Sequence, residues 1–277
     1  MSFDEYCDFG KSTKDLFEED FDSTFSLNIK AKAPKGVGIS STTEYCPGAA
    51  IFPSKLNLDW SHAESGFAVD KLEINSLSKG SIETSLSTVP YLPGLKLTFK
   101  GVDCSTGSLG MVYKHRVATL SSDLDIAGFS SMNVSALGGT AGVTAGASAS
   151  LALGSKFEVK DFGGAVGYTP REGMFVGVQT SNKCNEINGS MQFQVQPKLA
   201  LAALVDFTPK TSEHSLNVGV SYNCCEGTST KVKVSNSGCI DASVKSEFPN
   251  QLTLVGSAGI DVKNPDKYSF GVNATLG

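Results

Sequence analysis

The strongest constraint on this chain is a period of two. Runs of alternating apolar and polar residues return along most of its length, separated by short turn clusters. "FSLNIKAKA" sets Phe25, Leu27, Ile29 and Ala31 against Ser26, Asn28, Lys30 and Lys32. The same pattern recurs in "KLNLDW" from Lys55, "PGLKLTF" from Pro93, "MQFQVQPK" from Met191, "SLNVGVSYN" from Ser215, "KVKV" from Lys231 and "YSFGVNATLG" from Tyr268. Successive side chains of a strand point to opposite faces, so each run gives a ribbon with one apolar and one polar face. The intervening clusters "APKG", "YCPG", "NSLSKG", "GGTAG", "TPREG", "NKCN", "TPKTSE", "NSG", "EFPN" and "KNPDK" carry the residues that tight turns need. No crossover helix and no long linker interrupts them, which predicts an antiparallel meander.

A soluble sheet protein hides its apolar face and charges its outer one. Here the polar face is rich in Asn, Gln, Ser, Thr, Gly and Lys, and only 18% of residues are charged. A sheet turned inside out, with apolar side chains on lipid and polar ones on water, explains both features. Lipid forbids open sheet edges, so such a sheet must close. At about 10 residues per tilted strand and about 3 per turn, about 19 or 20 strands fit. A barrel of that width encloses water rather than a packed core. The expected fold is therefore all-β: a transmembrane antiparallel β-barrel of about 19 strands over residues 22–277, preceded by an amphipathic helix segment over residues 1–21.

In that N-terminal segment, Ser12 and Asp15 have the spacing of a capping box, and Leu16, Phe17 and Phe21 supply an apolar side. Gly10 is expected to break or bend any helix starting near Tyr6. The segment has neither the apolar core of a secretory signal nor the basic character of a transit peptide. The low-complexity stretch Gly138–Gly154 keeps its alternation and reads as strand with small side chains, not as a phosphate loop.

Other classes find little support. A net charge of -5 does not suggest nucleic-acid binding. The seven cysteines are scattered and odd in number, which predicts free thiols, and the three histidines have no ligand spacing to Cys224 and Cys225. No catalytic constellation is present, so neither an enzyme, a cofactor nor a metal is expected. The N-x-S/T matches at Asn133, Asn188 and Asn273 fall in strand-like runs and are not read as glycosylation sites.

"YCDFGKSTKDLFEEDF" resembles the opening of the mitochondrial voltage-dependent anion channels, the eukaryotic porins, through Tyr6, Asp8, Gly10, Lys11, Lys14, Asp15, Leu16 and Phe17. "PGLKLTF", "YNCCEGTSTKVKVSNSG" and the terminal strand resemble later segments of that family, in order along the chain. The resemblance implies a 19-stranded barrel in the mitochondrial outer membrane, with the helix inside the lumen and the first and last strands paired in parallel. It implies a voltage-gated, weakly ion-selective pore passing ATP, ADP, phosphate, small organic anions and ions. Membrane lipids, further copies of the chain and docking kinases are the implied partners. Two alternatives are a related protein-translocation barrel of the same membrane and a soluble β-rich binding protein.

Alternation assigns Lys30, Lys32, Lys96, Lys100, Lys231 and Lys233 to the lumen, and Lys11 and Lys14 add charge from the helix. Fixed wall charge of this kind would raise the local counter-ion concentration. Glu18 and Glu19, followed by Asp20, stand where family members carry a basic residue, which weakens the expected anion preference. Cys225 replaces an expected acid, and "SGCIDASV" replaces the family's Leu-Gly nucleotide stretch. "DKLEIN", Asp70–Asn75, breaks the alternation, and its charges have no assigned face.

Overall fold

The computed structural model describes residues 5–33, 36–45, 52–62, 64–76, 79–87, 92–103, 105–154, 157–249 and 251–277, and for Phe157 the backbone only. Cys46, Cys104 and most of the "YCPG" turn lie outside the described residues. A 3-10 turn, Tyr6–Asp8, precedes one helix, α1, Lys11–Glu18. Nineteen strands follow. They are β1 Phe25–Ala33, β2 Val37–Tyr45, β3 Ser54–His62, β4 Phe67–Asn75, β5 Gly80–Leu86, β6 Leu95–Val102 and β7 Thr106–Lys114. Next come β8 Ala118–Asp125, β9 Ser131–Thr140, β10 Val143–Leu153, β11 Phe157–Arg171, β12 Met174–Ser181 and β13 Glu186–Gln196. The last are β14 Leu199–Thr208, β15 Glu213–Cys225, β16 Thr228–Ser235, β17 Cys239–Phe248, β18 Leu252–Asp261 and β19 Tyr268–Leu276.

Each strand pairs antiparallel with its sequence neighbours, and β1 pairs in parallel with β19, Phe25 opposite Val272 through Ile29 opposite Leu276. An odd strand number in a meander forces this seam, because the first and last strands then run the same way. Closure leaves no unpaired ladder facing lipid. The 19-stranded closed sheet with an N-terminal helix in its lumen is the expected fold.

The two faces are chemically distinct. Leu27, Ile29, Val166, Val178, Val218, Val244 and Phe270 lie on the outer face, all substantially exposed. In a water-soluble protein so many exposed apolar side chains would be an aggregation surface; against acyl chains they are the solvated side. Aromatic residues gather near both ends of the outer wall. At one rim Phe25 packs edge-on against Phe270 and Tyr45, and Tyr45 stacks on Phe52. At the other, Trp60 packs against Phe67. Such girdles mark where a membrane barrel meets its interfaces.

The broken alternation in "DKLEIN" is a β-bulge. Trp60 pairs with Val69 and Leu58 with Leu72, so two residues, Asp70 and Lys71, face Asp59 alone. One extra residue reverses the facing of everything after it. Phe67 and Val69 point outward before the bulge, and Leu72 and Ile74 point outward after it. Lys71 and Glu73 are thereby turned inward, where their side chains form a 2.5 Å ion pair. Asp70 meets Lys96 at 3.6 Å on the same inner face. Both acidic residues of this strand, Asp70 and Glu73, are lumenal, and the face left open by the sequence is settled.

Candidate functional site

The N-terminal segment crosses the lumen and lies against one part of the wall. Gly10 adopts φ 68°, a left-handed conformation that separates the 3-10 turn from α1, as its position suggests. The expected capping box does not form. Gly10 is the N-cap, no side chain among the described residues caps the helix, and Ser12 and Asp15 lie inside it. Gly10 takes the cap at φ 68°, where the chain swings from the 3-10 turn into the helix, which places Ser12 two residues too late. The helix ends at Glu18, so Phe21 lies beyond it rather than on its apolar side.

Two small clusters seat this segment. Tyr6 and Phe9 pack against Leu137 and Ala165, with Phe9 edge-on to Phe175 at 5.5 Å. Leu16 and Phe17 pack against Ala200, Ala202 and Leu204. The wall beneath is built from small residues. A Cβ on Gly146 would lie 2.9 Å from Tyr6 Cδ2, one on Gly177 2.8 Å from Phe9 Cζ, and one on Gly219 2.6 Å from Leu16 Cδ2. The small-residue stretch Gly138–Gly154 and its neighbours are thus the seat of the N-terminal segment. Sequence reading recognised the strand but not this purpose; the available signal was that small residues alternate on the polar face, where water alone would not demand them.

Under the helix, Thr13 is fully buried, and among the described residues its hydroxyl and that of Tyr6 have no hydrogen-bond partner. A buried hydroxyl without a partner costs about 1–3 kcal/mol. Thr13→Val keeps the shape and removes the orphan group, and should tighten the seat by about 1 kcal/mol. Slower amide exchange at Thr13–Phe17 in the variant than in the parent protein would show it; faster exchange would refute it.

Most of the inner-face lysines meet acceptors. Lys231 reaches Asp20 at 2.8 Å and Glu19 at 3.7 Å, and donates to the Asp15 and Glu19 carbonyls. Lys233 donates to the Phe17 carbonyl at 3.0 Å, lies 3.7 Å from Asp241, and sits 4.2 Å above the Phe21 ring. Both cations stand at the C-terminal end of α1, where free carbonyls and the helix dipole favour positive charge. Asp20, at φ 72°, adopts the left-handed turn that follows a helix end and is held by Lys231. Lys100 pairs with Glu83 at 3.1 Å, Lys96 with Asp70 at 3.6 Å, and Lys11 with Asp8 at 3.3 Å. Lys14 reaches the Gln179 side chain at 3.5 Å. Lys30 and Lys32 are exposed on the inner face of β1, and Glu18 is exposed on α1. The structure therefore gathers Lys231, Lys233, Glu19 and Asp20 into one cluster, sets Lys96 and Lys100 in separate pairs on β6, and leaves Lys30 and Lys32 on the opposite side of the seam. Alternation could place these lysines on a face; it could not show that the acids of "EED" and "DKLEIN" would meet them.

The linker Asp20–Thr24 returns the chain to the wall. Ser257 Oγ donates to the Asp22 carbonyl, and a Cβ on Gly271 would fall 2.2 Å from that same carbonyl oxygen. A cavity of about 640 Å³ opens between α1 and the wall, lined by Lys14, Glu18, Gln179, Asp206, Lys233 and Asp241 among others. The three Asn of the N-x-S/T matches sit on inward strand positions, with Asn133 accepting from Ser150 and Asn273 from Ser26. The five described cysteines, Cys7, Cys184, Cys224, Cys225 and Cys239, are unpaired. Among the described residues no His/Cys/Asp/Glu group has the geometry of a metal site.

A closed sheet with an apolar exterior, aromatic girdles and a polar, charged lumen defines a membrane-spanning β-barrel pore. The chain belongs to the eukaryotic porin family, whose profile matches residues 4–271. It is 25% identical over 281 residues to the mitochondrial outer membrane protein porin of 34 kDa from Solanum tuberosum, covering 98% of this chain and 97% of that one. It is 24% identical over 268 residues to the outer plastidial membrane protein porin of Pisum sativum, covering 95% and 93%. Solved variants of the Rhodopseudomonas blastica porin share the fold at 10% identity. One has a TM-score of 0.52 over 81% of this chain and 91% of that one. Another has 0.51 over 89% and 94%.

Proposed function

We propose that this protein is a voltage-gated, weakly selective diffusion pore of the mitochondrial outer membrane for ions and small metabolites, among them ATP, ADP, phosphate and small organic anions. The observation that carries the reading is the closed 19-stranded sheet with an apolar outer face and a charged inner face. Relatives named for the outer membrane of mitochondria support the location, and one named for plastids keeps a second organelle in view. No chemistry is required of the wall. Solutes diffuse through water, and the fixed charge they pass sets which ion is enriched. The ion pairs at Lys11, Lys96, Lys100, Lys231 and Lys233 offset most of the positive charge expected from the lysine count, which favours weak selectivity. The charged N-terminal segment supports voltage dependence, because one elementary charge crossing the membrane field gains about 2.3 kcal/mol per 100 mV. Further copies of the chain and docking kinases are partners on the same reading, supported by the family resemblance.

Vesicles loaded with ATP and with a dextran too large for the lumen test the proposal. The protein should release ATP and retain the dextran; retention of both by folded protein contradicts it. Selectivity is tested at Lys30 and Lys32, for which no ion pair is found among the described residues. Lys30→Gln with Lys32→Gln should move the reversal potential in a salt gradient toward cation preference. An unchanged reversal potential would remove these two lysines from the selectivity account.

A further inference from the structure

Arg116 and Arg171 are the only arginines in the sequence. They come from distant parts of the chain, Arg116 from the turn between β7 and β8 and Arg171 from the end of β11. Both nevertheless line one cavity of about 820 Å³ at a single rim of the barrel. The tight β9–β10 turn lies between them. Its two residues, Ala141 and Gly142, have φ values of 52° and 82°, and they raise almost no side chain over the space between the arginines. Val117, Val143 and Pro170 form an apolar floor; Val117 and Val143 are 55% and 46% exposed, and Val143 lies on the outer face of β10. Arg171 lies 5.3 Å from the centre of the Phe193 ring, which belongs to the outward face of β13. Glu172 also lines the cavity, so its formal charge is +1.

We infer that this rim cavity binds the headgroup of a net-negative phospholipid, with the two guanidinium groups on the phosphate side and the first carbons of an acyl chain on the Val117–Val143–Pro170 floor. Guanidinium is weakly hydrated and matches phosphate oxygens through several N–H donors, whereas the lysines used elsewhere in the chain act as point charges. The position decides the source of the phosphate. A soluble phosphate would gain nothing from an apolar floor open to the outer face. A lipid at the interface presents both chemistries at this depth, and a basic residue near an anionic surface contributes attraction that a neutral lipid does not return. The inference rests on the outer face being the lipid-facing one, not on conduction.

The test is native mass spectrometry of the full chain released from vesicles of phosphatidylcholine with a minor share of anionic phospholipid. The protein should retain anionic lipid in excess of its share. Arg116→Gln with Arg171→Gln should reduce that excess by roughly fivefold per arginine. Arg116→Lys with Arg171→Lys should keep part of it. Lys183→Gln with Lys210→Gln, at the opposite rim, should match the parent protein. Circular dichroism and urea resistance of each variant separate a lost site from a lost fold. No anionic excess in the parent protein, or an excess unchanged by the double Gln variant, overturns the inference. Displacement of the lipid by millimolar inorganic phosphate would reassign the site to soluble anions and overturn it as well. Lipid retention by a protein that passes no current would defeat the pore reading while leaving this site intact.

Discussion

Deletion of Asp70 should cost the barrel several kcal/mol and block refolding into bilayers at denaturant concentrations the parent protein tolerates. The bulge at Asp70 turns Lys71 and Glu73 inward and Leu72 and Ile74 outward. Without it one half of β4 must face the wrong way. If the second half turns, Lys71 meets lipid, at about 2–4 kcal/mol near the midplane, and Glu73 adds a smaller penalty. Leu72 and Ile74 would then lose their apolar surroundings, at about 1.5–3 kcal/mol each. The total rivals the whole stability of an ordinary domain. Asp70→Asn keeps the residue count and removes only the 3.6 Å pair with Lys96, which is partly exposed. That change should cost no more than about 1 kcal/mol. The midpoint of urea unfolding, followed by the gel shift of folded barrel, compares the two. Equal midpoints for the deletion and the parent protein would show that the bulge does not control facing.

Gly271→Val should expel the N-terminal segment from the wall. Gly271 faces the lumen, opposite Ser257, and a Cβ there falls 2.2 Å from the Asp22 carbonyl oxygen and 2.8 Å from Ser23 Cα. Both neighbours are backbone, so no rotamer change relieves the overlap, and the linker must move. Moving it breaks the Ser257 bond to Asp22 and strains the Lys231–Asp20 pair. The burial of Tyr6, Phe9, Leu16 and Phe17 depends on that linker, at about 1.5–3 kcal/mol for each side chain of this size. Trypsin reports the outcome. Cleavage after Lys11 and Lys14 should be slow in the parent protein and fast in the variant. Gly256→Val is the control, because Gly256 faces outward with nothing within 4 Å of its Cβ position. Equal cleavage in all three proteins would mean that Gly271 does not hold the segment.

Much of this architecture is legible in the sequence because its governing rule is local. Period two in "FSLNIKAKA" or "YSFGVNATLG" fixes which side chains share a face whatever the strand pairs with. The rest depends on pairing. "DKLEIN" shows that alternation fails, but the direction of the failure is set by Trp60 meeting Val69 across the ladder. Lys231 and Lys233 read as lumen-facing from "KVKV", yet their partners lie about two hundred residues earlier in the chain, where no local pattern reaches. Ser12 illustrates the opposite error. Its spacing to Asp15 fits a cap, and the left-handed Gly10 overrides it. Glycines such as Gly177 and Gly219 look like dilute strand until the aromatic and leucine side chains they admit are in view.

Single-channel current in a planar bilayer, recorded under a salt gradient, tests the central claim most directly. The account predicts large discrete steps that shrink at high voltage of either sign, with a reversal potential close to zero because lumenal lysines and carboxylates offset one another. Folded protein that gives no steps, or a reversal potential near the limit for one ion alone, would contradict it.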